Sequence, residues 1–366
     1  MTGLKFLCRK KTIQKKVIKA MKKNLLPVRQ NYFKANLHMH TTESDGRMTP
    51  EETKAYYKER GYSIVAFTDH DIIAPHHYLN DKNFLTITSM ETYFNTDLFR
   101  KIDYDFIKTY HLSFFAKDPD NFKCPAFSER YIERAHSLAL VQDESRAYDY
   151  DREYSQKFIN QIIKECNEKG FLVSYNHPMW SLQNYKDYCD LEGLWGVEVF
   201  NTAGAVACMP DNEQAFLDLI HDGKKVFPIA ADDAHSHASA CGGWVMVGAD
   251  KLEYKTVMTS LENGDFYASS GPEIKEFSFE DGKVFVRCSD AVKIYVNTER
   301  RTGWAKNAGE GEQITEAEFN VSNYLNITRE EKDRLLWKPF IRLTVVDKSG
   351  HRAYTRAYFL EEFIDL

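Results

Sequence analysis

Short apolar segments alternate with helical segments over most of this chain, and that alternation most limits the folds it can adopt. The apolar segments that follow the first one include residues 63–68, 84–90, 109–116, 171–176, 196–200 and 226–231. Thr49, Pro50 and two following glutamates form an N-cap signal for the first helix. Strands alternating with helices predict a mainly parallel sheet, and about seven such units in about 240 residues favour a closed barrel.

The pattern changes near residue 271, where helical spacing largely disappears. Apolar runs predict strands over residues 277–279, 284–288, 292–296, 340–346 and 353–359. Asp281-Gly282 predicts a hairpin turn between the first two of these strands. We therefore expect a barrel over residues 31–271 and a small all-β sandwich over residues 272–366.

Residues 1–30 differ from the rest in charge, with ten Lys or Arg and no Asp or Glu. Their apolar residues are spaced as on one helical face: Ile13, Val17, Ile18, Met21 and Leu25. This segment is either a surface helix for anionic lipid or nucleic acid, or a solvated helix or extension beside the body, which we favour. The remaining residues carry 38 Lys and Arg against 54 Asp and Glu, a poor balance for general binding of a nucleic-acid backbone.

The cysteines and the apolar segments bear on cellular location. Seven cysteines, with no Cys-x-x-Cys pair among them, favour reduced thiols over a disulfide framework or a thiolate zinc site. No apolar stretch is long enough to span a bilayer. We therefore expect a cytoplasmic protein without a transmembrane segment.

Candidate metal ligands gather at the ends of the predicted strands. The first strand ends in His38 and His40, whose side chains at i and i+2 point to one face, and Asp45 follows on a turn before Gly46. The other candidates at or just past predicted strand ends are His70, Glu91, His177, Asp233 and His235, and His111 lies near the start of the strand predicted over residues 109–116. In a βα barrel such strand ends meet at one face. Nine nitrogen and oxygen ligands exceed the need of one ion, which predicts two or three divalent ions of Zn, Mn or Fe, with Glu91 as a bridge.

The ordered motifs HMH, SDG, TDHD, ME, YH, NHP and DAH resemble the PHP family, named for polymerase and histidinol phosphatase, over about residues 31–271. The resemblance implies a distorted (β/α)7 TIM-like barrel with a trinuclear metal site that hydrolyses phosphoesters. It implies three ligand groups: His38, His40, Glu91 and Asp233; Glu91, His111 and His177; Asp45, His70 and His235. Glu91, Asp233 and His235 are the catalytic residues that we expect from it.

One departure from the family pattern concerns the contact with phosphate. Some nucleotide-directed relatives continue the His-Pro motif with a phosphate-binding arginine, whereas here Met-Trp follows. Trp180 either stacks on a base or sugar ring or packs in the barrel, which is the commoner fate. Arg130, Arg134 and Arg146 are candidates for the missing contact, against a default of solvated surface. Asp69 either orients a ligand or caps the next turn.

Three functions fit these residues. The leading one is a metal-dependent phosphoesterase acting on a small phosphorylated metabolite or nucleotide through a metal-activated hydroxide. The second is an exonuclease trimming short oligonucleotides, which the acidic body disfavours. The third is a structural module without catalysis, which the presence of all nine candidate ligands disfavours. A small phosphorylated substrate is therefore the expected partner, and nucleic acid is not favoured.

Overall fold

The computed structural model is a mixed α/β protein with one large mixed sheet and few helices. It describes residues 22–97, 102–148, 150–331, 335 and 337–364. The strands up to the predicted boundary are β1 (Lys23–Asn24), β2 (Asn31–Asn36), β3 (Ile64–Phe67), β4 (Leu85–Asn95), β5 (Thr109–Ala116), β6 (Phe171–Tyr175), β7 (Gly196–Asn201), β8 (Phe227–Ala231), β9 (Trp244–Ala249) and β10 (Phe266–Ser269). The later strands are β11 (Ile274–Glu280), β12 (Lys283–Ala291), β13 (Lys293–Thr298), β14 (Trp304–Asn307), β15 (Ile314–Asn320), β16 (Phe340–Val346), β17 (Arg352–Tyr354) and β18 (Tyr358–Phe359).

Seven α-helices lie in the described part of the chain: α1 (Pro50–Glu59), α2 (Gln156–Glu168), α3 (Tyr185–Tyr188), α4 (Thr202–Val206), α5 (Glu213–His221), α6 (Tyr254–Asn263) and α7 (Ser322–Glu331). The N-cap signal for α1 is confirmed. The Thr49 hydroxyl accepts from the Glu52 amide at 3.2 Å, and the Glu52 carboxylate accepts from the Thr49 amide at 2.9 Å. Such a cap stabilises a helix by about 1 kcal/mol. Within the described residues, no helix has the length and apolar character needed to cross a membrane.

The large sheet is mixed, so the expectation of a mainly parallel sheet is wrong. Its strands follow the order β14-β13-β16-β17-β10-β9-β2-β3-β4-β5-β6-β7-β8. The pairs β2–β3, β3–β4, β6–β7 and β7–β8 are parallel, whereas β5 is antiparallel to both β4 and β6, and β9 to both β2 and β10. A parallel pair requires a crossover, usually a helix. The described residues between β4 and β5 contain only one 3₁₀ turn, Tyr104–Phe106, which suits an antiparallel pair.

The strands from β2 to β8 are neighbours in the large sheet, and hydrogen bonds connect the segments that follow the first and the last of them. Met39 and Ala234 form a parallel bridge, and the His40 amide donates to the Ala234 carbonyl at 3.1 Å. The Asp233 amide donates to the His38 carbonyl at 3.0 Å. The segments that follow β2 and β8 therefore lie side by side at the C-terminal ends of these strands.

The helices pack on this sheet through apolar stripes. In α2 the buried residues are Ile159, Ile162, Ile163 and Cys166, spaced as one face of a helix requires. They join the main core cluster with residues of the neighbouring strands, such as Phe114 and Val173. The largest core of the described chain therefore lies beneath the strands that carry the candidate ligands.

A second core cluster lies among the strands that follow residue 271. It includes Phe277, Val286 and Leu343, and α7 contributes two of its residues. Strands β14 and β15 and helix α7 were not predicted. Strand β14 is exposed apart from half-buried Trp304, and β15 buries only Ala317 and Phe319. Helix α7 lies in a region that we expected to be all β. Strand β17 pairs with β10, so the large sheet continues across the predicted boundary.

The predicted N-terminal helix lies mostly outside the described residues. Its described end is not helical, because Lys23 and Asn24 form a strand antiparallel to β11. The amides of Leu25 and Leu26 donate to the Phe277 carbonyl at 2.9 and 3.0 Å, and both side chains are buried in the second cluster. An open sheet edge and an apolar surface favour extended backbone here over helix.

Candidate metal site

Nine side chains predicted as ligands meet at one cavity of about 270 Å³ or in the layer directly beneath it. His38, His40 and Asp45 follow β2, His70 follows β3, His177 follows β6, and Asp233 and His235 follow β8. Glu91 differs from the expectation, since it lies within β4 rather than past a strand end, whereas His111 lies near the start of β5, as predicted. Strand β4 runs on to Asn95 because it pairs with β5 along its second half.

A first group consists of His38, His40, Glu91 and Asp233, whose facing donor atoms all lie within 4.8 Å of one another. His38 Nε2 lies 3.2 Å from Glu91 Oε1 and 3.3 Å from Asp233 Oδ1. His40 Nε2 lies 3.4 Å from Glu91 Oε2 and 3.1 Å from Asp233 Oδ1. Ligands at about 2.0–2.2 Å from one ion are separated by about 3–3.6 Å, so these spacings suit a shared ion.

A second group adds His111 and His177 around the same glutamate. His111 Nδ1 lies 3.3 Å and His177 Nε2 3.4 Å from Glu91 Oε1. Glu91 Oε2 faces His40 and His70 instead, at 3.4 and 3.3 Å. The two oxygens of one buried carboxylate thus face different sets of imidazoles, and Glu91 is shared by two of the ligand groups.

A third group contains Asp45, His70 and His235, together with His40. His235 Nε2 lies 3.2 Å from Asp45 Oδ2, and His40 Nδ1 lies 3.6 Å from Asp45 Oδ1. Gly46 makes this turn feasible through close approach, since any Cβ there would overlap the backbone of His40. The three groups that the motifs imply are therefore brought together in space.

Unpaired nitrogens in the cluster fit a cation. Among the residues that the structure describes, none is a hydrogen-bond partner of suitable geometry for buried His70 Nδ1 or for either ring nitrogen of His111. Burying a polar atom without a partner costs about 1–3 kcal/mol, so such atoms in a native site call for a ligand. A divalent ion would satisfy them, and the donor set of imidazoles and carboxylates suits Zn, Mn or Fe.

The electrostatics favour positive charge at this point. Burial opposes the charged form of His40, but the carboxylates of Asp233 and Glu91 outweigh it and raise its pKa to about 10. Burial likewise disfavours ionised Glu91, yet His38 and His111 hold the pKa of its carboxyl well below the usual range. His70 behaves differently, because burial and the neighbouring charge of His40 lower its pKa to about 3. Buried carboxylates that stay ionised attract cations, as a metal site requires.

Glu198 in β7, which was not predicted, forms hydrogen bonds that orient two of the candidate ligands. Its Oε1 accepts from His38 Nδ1 at 2.6 Å, and its Oε2 accepts from the His177 amide at 3.0 Å and from Asn201 at 2.9 Å. A carboxylate on the far nitrogen of a histidine fixes the tautomer that leaves Nε2 for a metal. The available sequence signal was a lone glutamate within the apolar strand Gly196–Asn201.

Two aspartates beside the candidate ligands form hydrogen bonds that fix neighbouring backbone segments. Asp69 accepts from the amide and hydroxyl of Thr41 and from those of Ser44, at 2.7–3.1 Å, and so holds the loop before Asp45. Asp232 accepts from two side-chain hydroxyls, Tyr57 and Thr202, and from three amides of residues 241–243. With those donors its oxygens are occupied, whereas Asp233 faces the histidines.

A buried ion pair lies beneath the site and was also not predicted. Arg152 bonds to Asp71 and to the hydroxyl of Thr92, and its side chain is fully buried. Burial raises the pKa of Asp71 to about 6, against the opposing effect of Arg152. Asp71 has a φ of 54°, and its amide donates to the Glu91 carbonyl at 2.8 Å. The pair therefore fixes the backbone between His70 and β4.

The arginines proposed for phosphate contact are engaged elsewhere. Arg134 Nε donates to the Ser44 carbonyl at 2.5 Å, Arg130 pairs with Asp151 at 2.7 Å, and Arg146 pairs with Glu129. None of the three is among the described residues that line the cavity. Trp180 does line the cavity, with 36% of its surface exposed, so it is not a buried packing residue.

No protein-family model and no curated protein matches this chain. Among solved structures it is similar to a two-domain protein containing a predicted PHP-like metal-dependent phosphoesterase from Bacteroides vulgatus, at 13% identity and a TM-score of 0.42, over 92% of this chain and 98% of that one.

Two further solved structures are similar over 63% of this chain. One is an amidohydrolase from Chromobacterium violaceum, with 14% identity, a TM-score of 0.40 and 96% of that chain covered. The other is a lesion-specific endonuclease from Pyrococcus furiosus, with 15% identity, a TM-score of 0.40 and 56% of that chain covered. The neighbours thus include the family that the sequence motifs resemble.

Proposed function

We propose that this protein is a metal-dependent phosphoesterase of the PHP type that hydrolyses a phosphate ester of a small metabolite or nucleotide. The observation that carries the proposal is the convergence of nine imidazoles and carboxylates from six strands. Their three groups are interlocked, since Glu91 and His40 each belong to two of them. Shared ligands would hold neighbouring ions close together, and ions about 3.5–4 Å apart are typical of sites that hydrolyse phosphoesters.

The proposal includes a fold and a domain organisation. We assign residues 31–271 to a distorted (β/α)7 barrel, residues 272–366 to a β-sandwich and residues 1–30 to a basic N-terminal segment. The bonds between the ends of β2 and β8, and the separate core cluster after residue 271, support this assignment. In such a barrel the site belongs at the C-terminal ends of the strands.

Two or three divalent ions of Zn, Mn or Fe are the proposed cofactors. Three ligand groups would hold them: His38, His40, Glu91 and Asp233; Glu91, His111 and His177; and Asp45, His70 and His235. Bound ions would lower the pKa of a coordinated water and polarise the phosphoryl oxygens. The orphaned nitrogens of His70 and His111 are the structural features that a bound ion would satisfy.

The residues of the chain have separate tasks in this scheme. Glu91 is 1% exposed and joins two ligand groups, so it keeps their spacing constant. Asp233 faces His38 and His40 through Oδ1, and His177 through Oδ2 at 3.6 Å, which orients three imidazoles at once. His235 is the most exposed histidine of the cluster, at 37%, and lies at the cavity. Its Nε2 faces Asp45 and its Nδ1 lies 2.9 Å from the Asp233 carbonyl, so we assign it to hold an ion at the open side of the site.

The test uses Mn-loaded protein with p-nitrophenyl phosphate and bis-p-nitrophenyl phosphate. Glu91→Ala should abolish metal-dependent hydrolysis while circular dichroism shows that the protein still folds. Glu192→Ala is the matched control, because that glutamate is 73% exposed and pairs only with Lys224 among the described residues. Full activity of Glu91→Ala with its metals still bound would overturn the site assignment.

The two substrates also separate the functional alternatives. Faster cleavage of the monoester supports a metabolite or nucleotide phosphatase. Preference for the diester supports an oligonucleotide exonuclease and calls for end-labelled oligonucleotides. No turnover of these or of sugar and nucleoside phosphates by metal-loaded protein would support a structural module.

A further inference from the structure

Exposed apolar side chains are concentrated on two segments of the chain, and two of these side chains, Trp180 and Tyr104, line the cavity of the candidate metal site. They lie on two segments, one after β6 and one before β5: Met179, Trp180, Leu182 and Tyr185, and Ile102, Tyr104 and Phe106. The two segments are in contact, because the Thr109 amide donates to the Ser181 carbonyl at 3.3 Å. More than half of the exposed large apolar residues of the described chain therefore occur in one region.

Trp180 is held in a defined orientation within this region. The turn that carries it is closed by the Ser181 amide, which donates to the His177 carbonyl at 3.1 Å. The indole is nearly perpendicular to the imidazole of His177, with ring centres 5.1 Å apart, and to that of His111, at 5.5 Å. Contacts with two candidate ligands thus fix part of the ring, while 36% of the residue stays exposed.

The cavity therefore has two chemically different ends. Its inner end consists of imidazoles and carboxylates, and its outer part includes Trp180 and Tyr104, whose ring centres are 6.1 Å apart. A volume of about 270 Å³ suits a small molecule. The distance from the His177 ring to the Trp180 ring is short enough for one ligand to contact both ends.

We propose that Trp180, with Tyr104 beside it, stacks on a planar aromatic group carried by the alcohol part of the substrate. The substrate is then an aryl- or nucleobase-bearing phosphate ester rather than an aliphatic one. This inference rests on the proposed phosphoesterase function, because it assigns the phosphate to the inner end of the cavity. Trp180 acts as a specificity-determining residue and takes no part in the bond that breaks.

The first experiment compares 2-phenylethyl phosphate with 2-cyclohexylethyl phosphate. Their leaving alcohols have similar acidity and both rings are apolar, so they differ mainly in the aromatic face. We expect Mn-loaded wild-type protein to prefer the phenyl ester about two- to tenfold in kcat/KM, through KM. Trp180→Leu should remove the preference by raising the KM of the phenyl ester toward that of the cyclohexyl ester, and Trp180→Phe should retain most of the preference.

Tyr185→Leu is the matched control for this series. Tyr185 is an exposed aromatic residue on the same segment, at 49%, but it is not among the residues that line the cavity. Its replacement should leave the preference unchanged. Equal kcat/KM for both esters in the wild type, or a preference that survives in Trp180→Leu, would overturn the inference.

A binding experiment separates this inference from the proposed function. The phosphonate analogues of the two esters cannot be hydrolysed, and calorimetry on Mn-loaded protein gives their Kd values. Tighter binding of the phenyl phosphonate, lost in Trp180→Leu, with no ester hydrolysed, would refute the phosphoesterase and keep the aromatic site. Hydrolysis of both esters with equal Kd values would refute the aromatic site and keep the phosphoesterase.

A final comparison identifies the source of the aromatic group. Adenosine 5′-monophosphate and ribose 5-phosphate share the phosphate ester and differ in the base. A Trp180-dependent preference for the nucleotide, larger than that for the phenyl ester, would assign the site to a nucleobase. A preference confined to the phenyl pair would assign it to a non-nucleotide aryl phosphate.

Discussion

Replacing Glu198 by glutamine tests whether this buried carboxylate controls metal affinity without itself being a ligand. Each oxygen of Glu198 accepts from a different direction: one from His38 Nδ1 at 2.6 Å, the other from the His177 amide and Asn201. Glutamine keeps the shape but has only one accepting end. In either orientation of the glutamine amide, its NH2 group faces another hydrogen-bond donor, either His38 Nδ1 or the His177 amide and Asn201.

The unfavourable contact has a defined consequence for the metal. If the NH2 group faces His38, the imidazole proton must move to Nε2, the nitrogen that faces Glu91 and Asp233. If it faces the other way, the His177 amide and Asn201 lose their acceptor. Loss of such a supporting contact lowers metal affinity about 10- to 100-fold, or about 1.4–2.7 kcal/mol.

The assay is a titration with Zn²⁺ or Mn²⁺ in competition with a chromophoric chelator near neutral pH. Glu198→Gln should show the weaker binding, and the surface variant Glu192→Gln should match the wild type. Urea unfolding of metal-free protein measures any general loss of stability separately. A Glu198→Gln affinity within about twofold of the wild type would refute the supporting role, given the expected range.

Two further predictions concern stability. Arg152→Met should lower the free energy of unfolding by about 3–5 kcal/mol, because it leaves Asp71 buried and unpaired. Urea unfolding should show that the double variant with Asp71→Asn recovers part of the lost stability. A double variant that recovers none of it would contradict the pairing. Glu276 has its pKa lowered to about 2 by Lys22 and Arg287, so its folded value lies below the usual 4.5. The stabilisation of the folded protein by ionised Glu276 is full above pH 4.5 and is lost as the pH falls toward 2. The difference in unfolding free energy between wild type and Glu276→Gln should therefore be smaller at pH 3 than at pH 6. A difference that stays constant over this range would contradict the prediction.

Local sequence signals predicted the elements that depend on neighbours in the chain. The capping box of Thr49 and Glu52 is a property of a short window of sequence, and it is present. The short exposed strand Trp304–Asn307 carries no apolar alternation, so its pairing with β13 was not visible. The antiparallel insertion of β5 was missed for a related reason, since direction depends on the path of the connection.

The sequence by itself determined which residue types stand near the strand ends, because the motifs from His38 to His235 can be recognised one at a time. Only the tertiary structure decided that Glu198 supports His38 and that Arg152 pairs with Asp71, 81 positions away. It also decided that Trp180 is exposed at the cavity instead of packed in the core. Hydrogen bonds and burial between distant segments form only when the chain is folded, so no local pattern encodes them.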